Sequence, residues 1–101
     1  SRQVFAGHKV SLLDHHYKTV GNNTENLGKV YRSFNDHQQY YILTDNGQLK
    51  SVRSLSQLYR MFPEFKHELR RYAAQHHLSF STERREASLT SCVSYLDTLI
   101  P

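Results

Sequence analysis

The chain has 101 residues, 38% of them hydrophobic and 12% aromatic, a length that supports one domain with one modest core. No apolar run approaches the roughly 20 residues that span a bilayer, which excludes a helical membrane anchor within this sequence. The net charge of +4 and pI near 9.4 admit a polyanionic partner. The basic excess is nevertheless spread along the chain without a block of like charges, which argues against a nucleic-acid stripe.

The first half reads as strands. "QVFAGHKVSLL" holds two short runs, Val4–Phe5 and Val10–Leu13, joined through Gly7, where an unusual backbone angle would be tolerated. "KTVGNNTENLGK" then reads as a polar loop between Thr19 and Lys29, the expected mobile segment. From Lys29, "KVYRSF", "QYYILT" and "QLKSVR" are three strand-like runs separated by "NDHQ" and "DNG". Asn46-Gly47 favours the positive backbone angles of a tight hairpin. Leu49 can pair with Thr44 or with Leu43, and the two registers place Lys50 on different faces.

At Ser54 the hydrophobic period changes from two to between three and four. Ser54 and Gln57 form a capping box for a short helix from Leu55 to about Met61. Phe62 precedes Pro63 and is biased away from helical geometry, whereas Pro63 suits the first position of a second helix, with Glu64 near its positive end. Phe65, Leu69, Tyr72, Ala73 and His76 make one face of that helix. A third helix is expected from near Thr82, with Glu83 in its first turn. Its apolar stripe is Leu89, Cys92, Val93, Leu96 and Ile100, widened by Tyr95 and Leu99.

Strands followed by helices predict a single α+β domain, mainly β over 1–53 and mainly α over 54–101. We expect an antiparallel meander of four to five strands, then a short helix and two longer C-terminal helices packed on one sheet face.

The residues admit three kinds of site. Seven histidines, at His8, His15-His16, His37, His67 and His76-His77, invite a metal hypothesis. Adjacent side chains point apart on a strand and diverge by about 100° on a helix, so neither pair converges on one ion. A cross-chain pair such as His16 with His76 is the remaining geometry. No cofactor or metal is expected.

Arg60, Lys66, His67, Arg70, Arg71 and His77 form the candidate binding surface, interrupted by Glu64 and Glu68. It reads as the solvated face of an amphipathic helix; its functional alternative is phosphate contact with Tyr59 stacking a base. Catalysis has the least support, because Asp14 beside His15-His16 reads as a strand-end turn and no nucleophile–base constellation is present. Cys92, alone of its kind, cannot form an intrachain disulfide and reads as a small buried hydrophobe.

The segments "YYILTDNGQLKSV", "LSQLYRMFPEFKHELRRYAAQHHLSF" and "LTSCVSYLDTLI", with "GHKVSLLDHHYK" before them, resemble a small exported domain common in Bacteroidetes. The shared positions are packing positions, and the "NNTEN" stretch and the histidine pairs depart from the pattern. The resemblance implies an exported or cell-envelope location and a non-enzymatic accessory role with a protein partner. A chain beginning at Ser1 rather than Met fits processing or excision from a longer protein and says nothing of location. The alternative function is a small basic nucleic-acid-binding module using the 66–71 helix face.

Overall fold

The computed structural model describes residues 2–25 and 29–101, with side chains described for residues 2–19 and 37–101. Four strands, β1 (Arg2–Phe5), β2 (Val10–Glu25), β3 (Lys29–Thr44) and β4 (Leu49–Val52), form one antiparallel sheet in the order β1-β2-β3-β4. Three helices follow: α1 (Leu55–Met61), α2 (Lys66–Gln75) and α3 (Arg85–Leu99), with a 3₁₀ turn over Pro63–Phe65 between the first two. The architecture is the expected α+β meander capped by C-terminal helices.

Two segments read as loops belong to strands. Thr19–Glu25, within the supposed polar loop, continues β2, and Asn35–Gln38, within the supposed separator, lies inside β3. The β2–β3 register runs unbroken from Val10↔Thr44 to Glu25↔Lys29. Polar and Asn-rich residues can occupy a ladder when backbone pairing, rather than burial, extends it. Residues 26–28 of the loop expectation lie outside the described residues. Two of the five sequence runs thus merge, leaving four strands.

The β3–β4 hairpin settles on Leu43↔Leu49. Its loop is Thr44 to Gln48, with Gly47 N–H donating to Thr44 O (3.0 Å) and Thr44 N–H to Gln48 O (2.9 Å). Gly47 takes φ +88°, so the turn closes through a left-handed residue, as in a three-residue hairpin with a bulge. Lys50 accordingly pairs with Ile42 and is exposed.

The core lies between one sheet face and the helices. Leu12, Ile42, Val52, Leu58, Leu69, Leu89, Cys92, Val93 and Leu96 are fully buried, joined by Val10 and Tyr40. Along β2 the inward residues are Val10, Leu12 and Asp14, and the partner strand answers with Ile42 and Tyr40. α3 lies across β1 and β2. α2 docks on α3 through Tyr72, whose ring stacks on Tyr95 (4.4 Å, 9°) and whose hydroxyl meets Ser91 Oγ at 2.7 Å.

The helix ends follow local chemistry. Ser54 Oγ accepts from Gln57 N–H, while Gln57 Oε1 accepts from Arg53 N–H, one residue before the usual reciprocal donor. α3 starts at Arg85 rather than near Thr82, because Arg84 N–H closes a turn back to Ser81 O first. α2 ends in a Schellman motif: Leu78 N–H donates to Ala73 O (3.0 Å) and His77 N–H to Ala74 O (3.2 Å). His77 occupies the left-handed position at φ 51°, usually a glycine's place.

One joint fastens sheet to helix. The Asp97 carboxylate on α3 accepts from the backbone N–H of His8 (3.1 Å), Lys9 (2.6 Å) and Val10 (3.0 Å) as the chain turns from β1 into β2. A Cβ on Gly7 would fall 2.7 Å from that carboxylate and against the carbonyl oxygen of Val10, so the close approach requires glycine.

Candidate binding surfaces

β1 covers β2 only as far as Asp14, and β4 covers β3 only from Tyr40 onward. From His15↔Gln39 to Glu25↔Lys29 the two long strands therefore continue as a two-stranded ribbon. At about 3.4 Å per residue this arm reaches roughly 35 Å, in a molecule 60 Å along its longest axis.

Where the arm leaves the body, a polar cluster closes the core. Asp14 sits at an inward strand position and is fully buried. It accepts from Arg2 Nη2 (2.7 Å) and Nε (3.3 Å) and from Gln38 Nε2 (3.1 Å), with His16 Nε2 at 3.5 Å. Arg2 Nη2 also donates to Glu86 Oε1 on α3 at 2.8 Å. The Arg2 hydrogen bonds hold the Asp14 carboxyl below the ordinary carboxylate value against the opposing effect of desolvation, and Gln38 adds to the depression. Burial pushes the neighbouring Tyr40 phenol up, and the carboxylates of Glu86 and Asp14 push the same way. Asp14 therefore lies mid-strand in an ion-pair network, not in a strand-end turn.

Beside this cluster opens a cleft of about 360 Å³ lined by His16, Tyr17, His37, Gln38, Gln39, Tyr40, Arg53, Thr82 and Arg85. Arg85, at the start of α3, donates through Nε to Arg53 O and through Nη2 to Phe80 O, both at 3.1 Å. Alternation along β2 and β3 puts His15, Tyr17 and His37 on the opposite, uncovered sheet face. There Tyr17 stacks between His15 (5.7 Å) and His37 (4.9 Å), and His37 Nε2 meets Thr19 Oγ1 at 2.9 Å. The same face carries Leu13, Tyr41 and Leu43, each half-buried, and Leu49, 55% exposed.

Arg60, Lys66, His67, Arg70, Arg71 and His77 are all exposed. Lys66, His67 and Arg70 share a shallow depression with Pro63, Glu64 and Glu68, so carboxylates and cations are interleaved there. Lys66 Nζ lies over one face of the Tyr59 ring, 5.7 Å from its centroid. His77 belongs to another depression, with His76, Leu78 and Arg84. Thus the six residues do not converge on one site, and His77 has a backbone role as a helix stop.

Among the described residues, no three His, Cys, Asp or Glu side chains gather as a metal site, and no helix is long and apolar enough to cross a membrane. Cys92 is buried, and burial pushes its thiol up to about 11.

Sequence reading missed Arg2, Gln38, Arg53, Arg85 and Glu86. The signal for the cluster was Asp14 itself, which follows Val10 and Leu12 in strict alternation and so places a charge on the core face. Its partners come from sequence-distant elements and carry no spacing signature. No family model, curated protein or solved structure matches the chain.

Proposed function

We propose that this protein is a non-enzymatic interaction domain that docks a partner protein on the sheet face its helices leave uncovered. The observation that carries this reading is the continuity of that face. Leu49, Leu43, Tyr41 and Leu13 run into the His15–Tyr17–His37 ring stack at the root of the arm. Apolar and aromatic side chains with a polar margin suit the anchors of a protein interface. An exported setting, implied by the sequence resemblance, belongs to the same proposal; a signal peptide at the N-terminus of the natural precursor would support it and a plain cytosolic start would count against it.

Site-specific photo-crosslinkers at Leu49 and Tyr17, compared with one at Arg71 on the helix layer, test the docking face in the native host. One defined partner should be captured from the first two positions and not from the third, and lost with Leu49→Asp. Capture from Arg71 alone would overturn the reading. So would oligonucleotide binding that falls steeply with salt and disappears in an Arg70→Glu/Arg71→Glu variant, because that behaviour belongs to the nucleic-acid alternative.

A further inference from the structure

β4 leaves the sheet at Val52, opposite Tyr40, while β3 extends in the other direction to Lys29, so the edge of β3 is vacated from Gln39 toward the arm. Alternation identifies the groups this edge presents. Thr44 N–H donates across the hairpin to Gln48 O, whereas Asp45 N–H donates to Lys9 O on the β2 side. Successive backbone groups in an antiparallel ladder point to opposite sides, and the register is unbroken through these residues. Ile42, Tyr40 and Gln38 therefore turn their N–H and C=O toward the β4 side. For Gln38 that side holds no strand among the described residues.

The polar cleft opens at this place, and among the described residues its lining holds no carboxylate. The side-chain hydrogen bonds of Arg85 go to two neutral carbonyls, and among the described residues it makes no ion pair. Among the described residues Arg53 makes no ion pair, and the nearby carboxylates of Asp14 and Glu86 are both held by Arg2. The positive end of the α3 dipole lies on the same side, at Arg85.

We propose that the vacated β3 edge and this cleft take one segment together, an extended acidic peptide of a partner protein. The peptide pairs with the backbone of Gln38 as an added strand and sets an Asp or Glu carboxylate against Arg53 and Arg85. A peptide fits better than a nucleic acid because a strand edge offers backbone pairing that a phosphodiester cannot use. This site is the edge rather than the uncovered face, so the docking reading above and this one can fail separately.

The test uses the isotope-labelled full chain and three probes: a short alternating threonine–valine peptide with a central glutamate, the same peptide with glutamine, and a short oligothymidylate. The glutamate peptide should bind at least about tenfold more tightly than the glutamine peptide. Binding should slow amide exchange at Gln38, leaving His37 and Gln39, already paired to β2, unchanged. Arg53→Gln should remove the preference for glutamate while keeping its backbone contacts to Gln57 and Arg85 intact. Equal binding of the two peptides, no binding, or no protection at Gln38 would overturn the proposal. Tighter binding of oligothymidylate would overturn it in favour of a nucleic-acid site, and peptide-independent protection rising with protein concentration would assign the edge to a second copy of the chain.

Discussion

Along β2, the residues that face the helices run Val10, Leu12, Asp14, His16 and Lys18, and the chemistry changes along that row. Val10 and Leu12 are buried under α3; Asp14 is buried but charged and paired; His16 and Lys18 are exposed. The body and the arm thus share two continuous strands and one register, yet among the described residues full burial is confined to the body. In the body, removing apolar surface from water contributes about 25 cal/mol per Å². In the arm, the described side chains rely on ladder hydrogen bonds and cross-strand contacts such as Tyr17 on His37, each contributing a fraction of a kcal/mol. Strand length and core extent are therefore separate properties here, and Arg2, Asp14, Gln38 and Glu86 mark the border between them.

The contrast can be broken most directly by truncating one side chain in each region. Leu12→Ala should cost about 2–5 kcal/mol in denaturant unfolding, since it leaves a cavity under α3. Thr19→Ala on the arm should stay within about 0.5 kcal/mol. Comparable losses at both positions would mean that the arm belongs to the cooperative core.

Next in size is the joint between α3 and the β1–β2 turn. Asp97→Ala strands three backbone donors that now bond a carboxylate, and should cost about 2–3 kcal/mol by the same measurement. Native-state amide exchange should accelerate at His8, Lys9 and Val10 and remain unchanged on the arm.

A smaller effect appears with acid. The Asp14 carboxyl is depressed by Arg2 and Gln38. Burial alone would raise the Asp97 carboxyl, but its backbone donors hold it below the ordinary value. Both native carboxyls refuse protons that the unfolded chain accepts near its ordinary pKa of about 3.9. The stability they confer is fully present above that value and is lost as pH falls through their lower native values. Unfolding free energy measured from neutral pH downward should decline below about pH 4–5. Asp14→Asn and Asp97→Asn should each flatten that decline.

The smallest change has the opposite sign. His77→Gly relieves a left-handed residue at the end of α2 and should stabilise by about 0.5–1 kcal/mol, read as a raised denaturant midpoint at unchanged slope. A loss would show that the His77 side chain makes contacts that outweigh its backbone strain.

Much of this fold was legible in local patterns. Ser54 with Gln57, Phe62 before Pro63, and the Leu89–Cys92–Val93–Leu96 stripe each act within one or two helical turns, and each appears where its chemistry requires. The hairpin at Asn46-Gly47 was legible in kind, while its register was not, because both pairings satisfied the sequence. Burial of Ile42 and Val52 on one face selected Leu43↔Leu49. The strand character of Thr19–Glu25 and Asn35–Gln38 was hidden, because those residues lack the alternation by which half-buried strands are recognised.

The amino-acid order alone therefore determined the class of fold, the succession of strands and helices, and which helix faces turn inward, since all three follow from short-range periodicity and capping. Tertiary structure decided how far the ribbon runs, where β4 leaves it, and that Arg2, Asp14, Gln38 and Glu86 meet. Arg2 and Glu86 stand 84 positions apart and come within hydrogen-bond distance only when α3 lies across the first two strands. No periodicity encodes a contact of that range. It arises because burying the α3 stripe on the inner sheet face brings the first turn of α3 beside the buried Asp14 of β2.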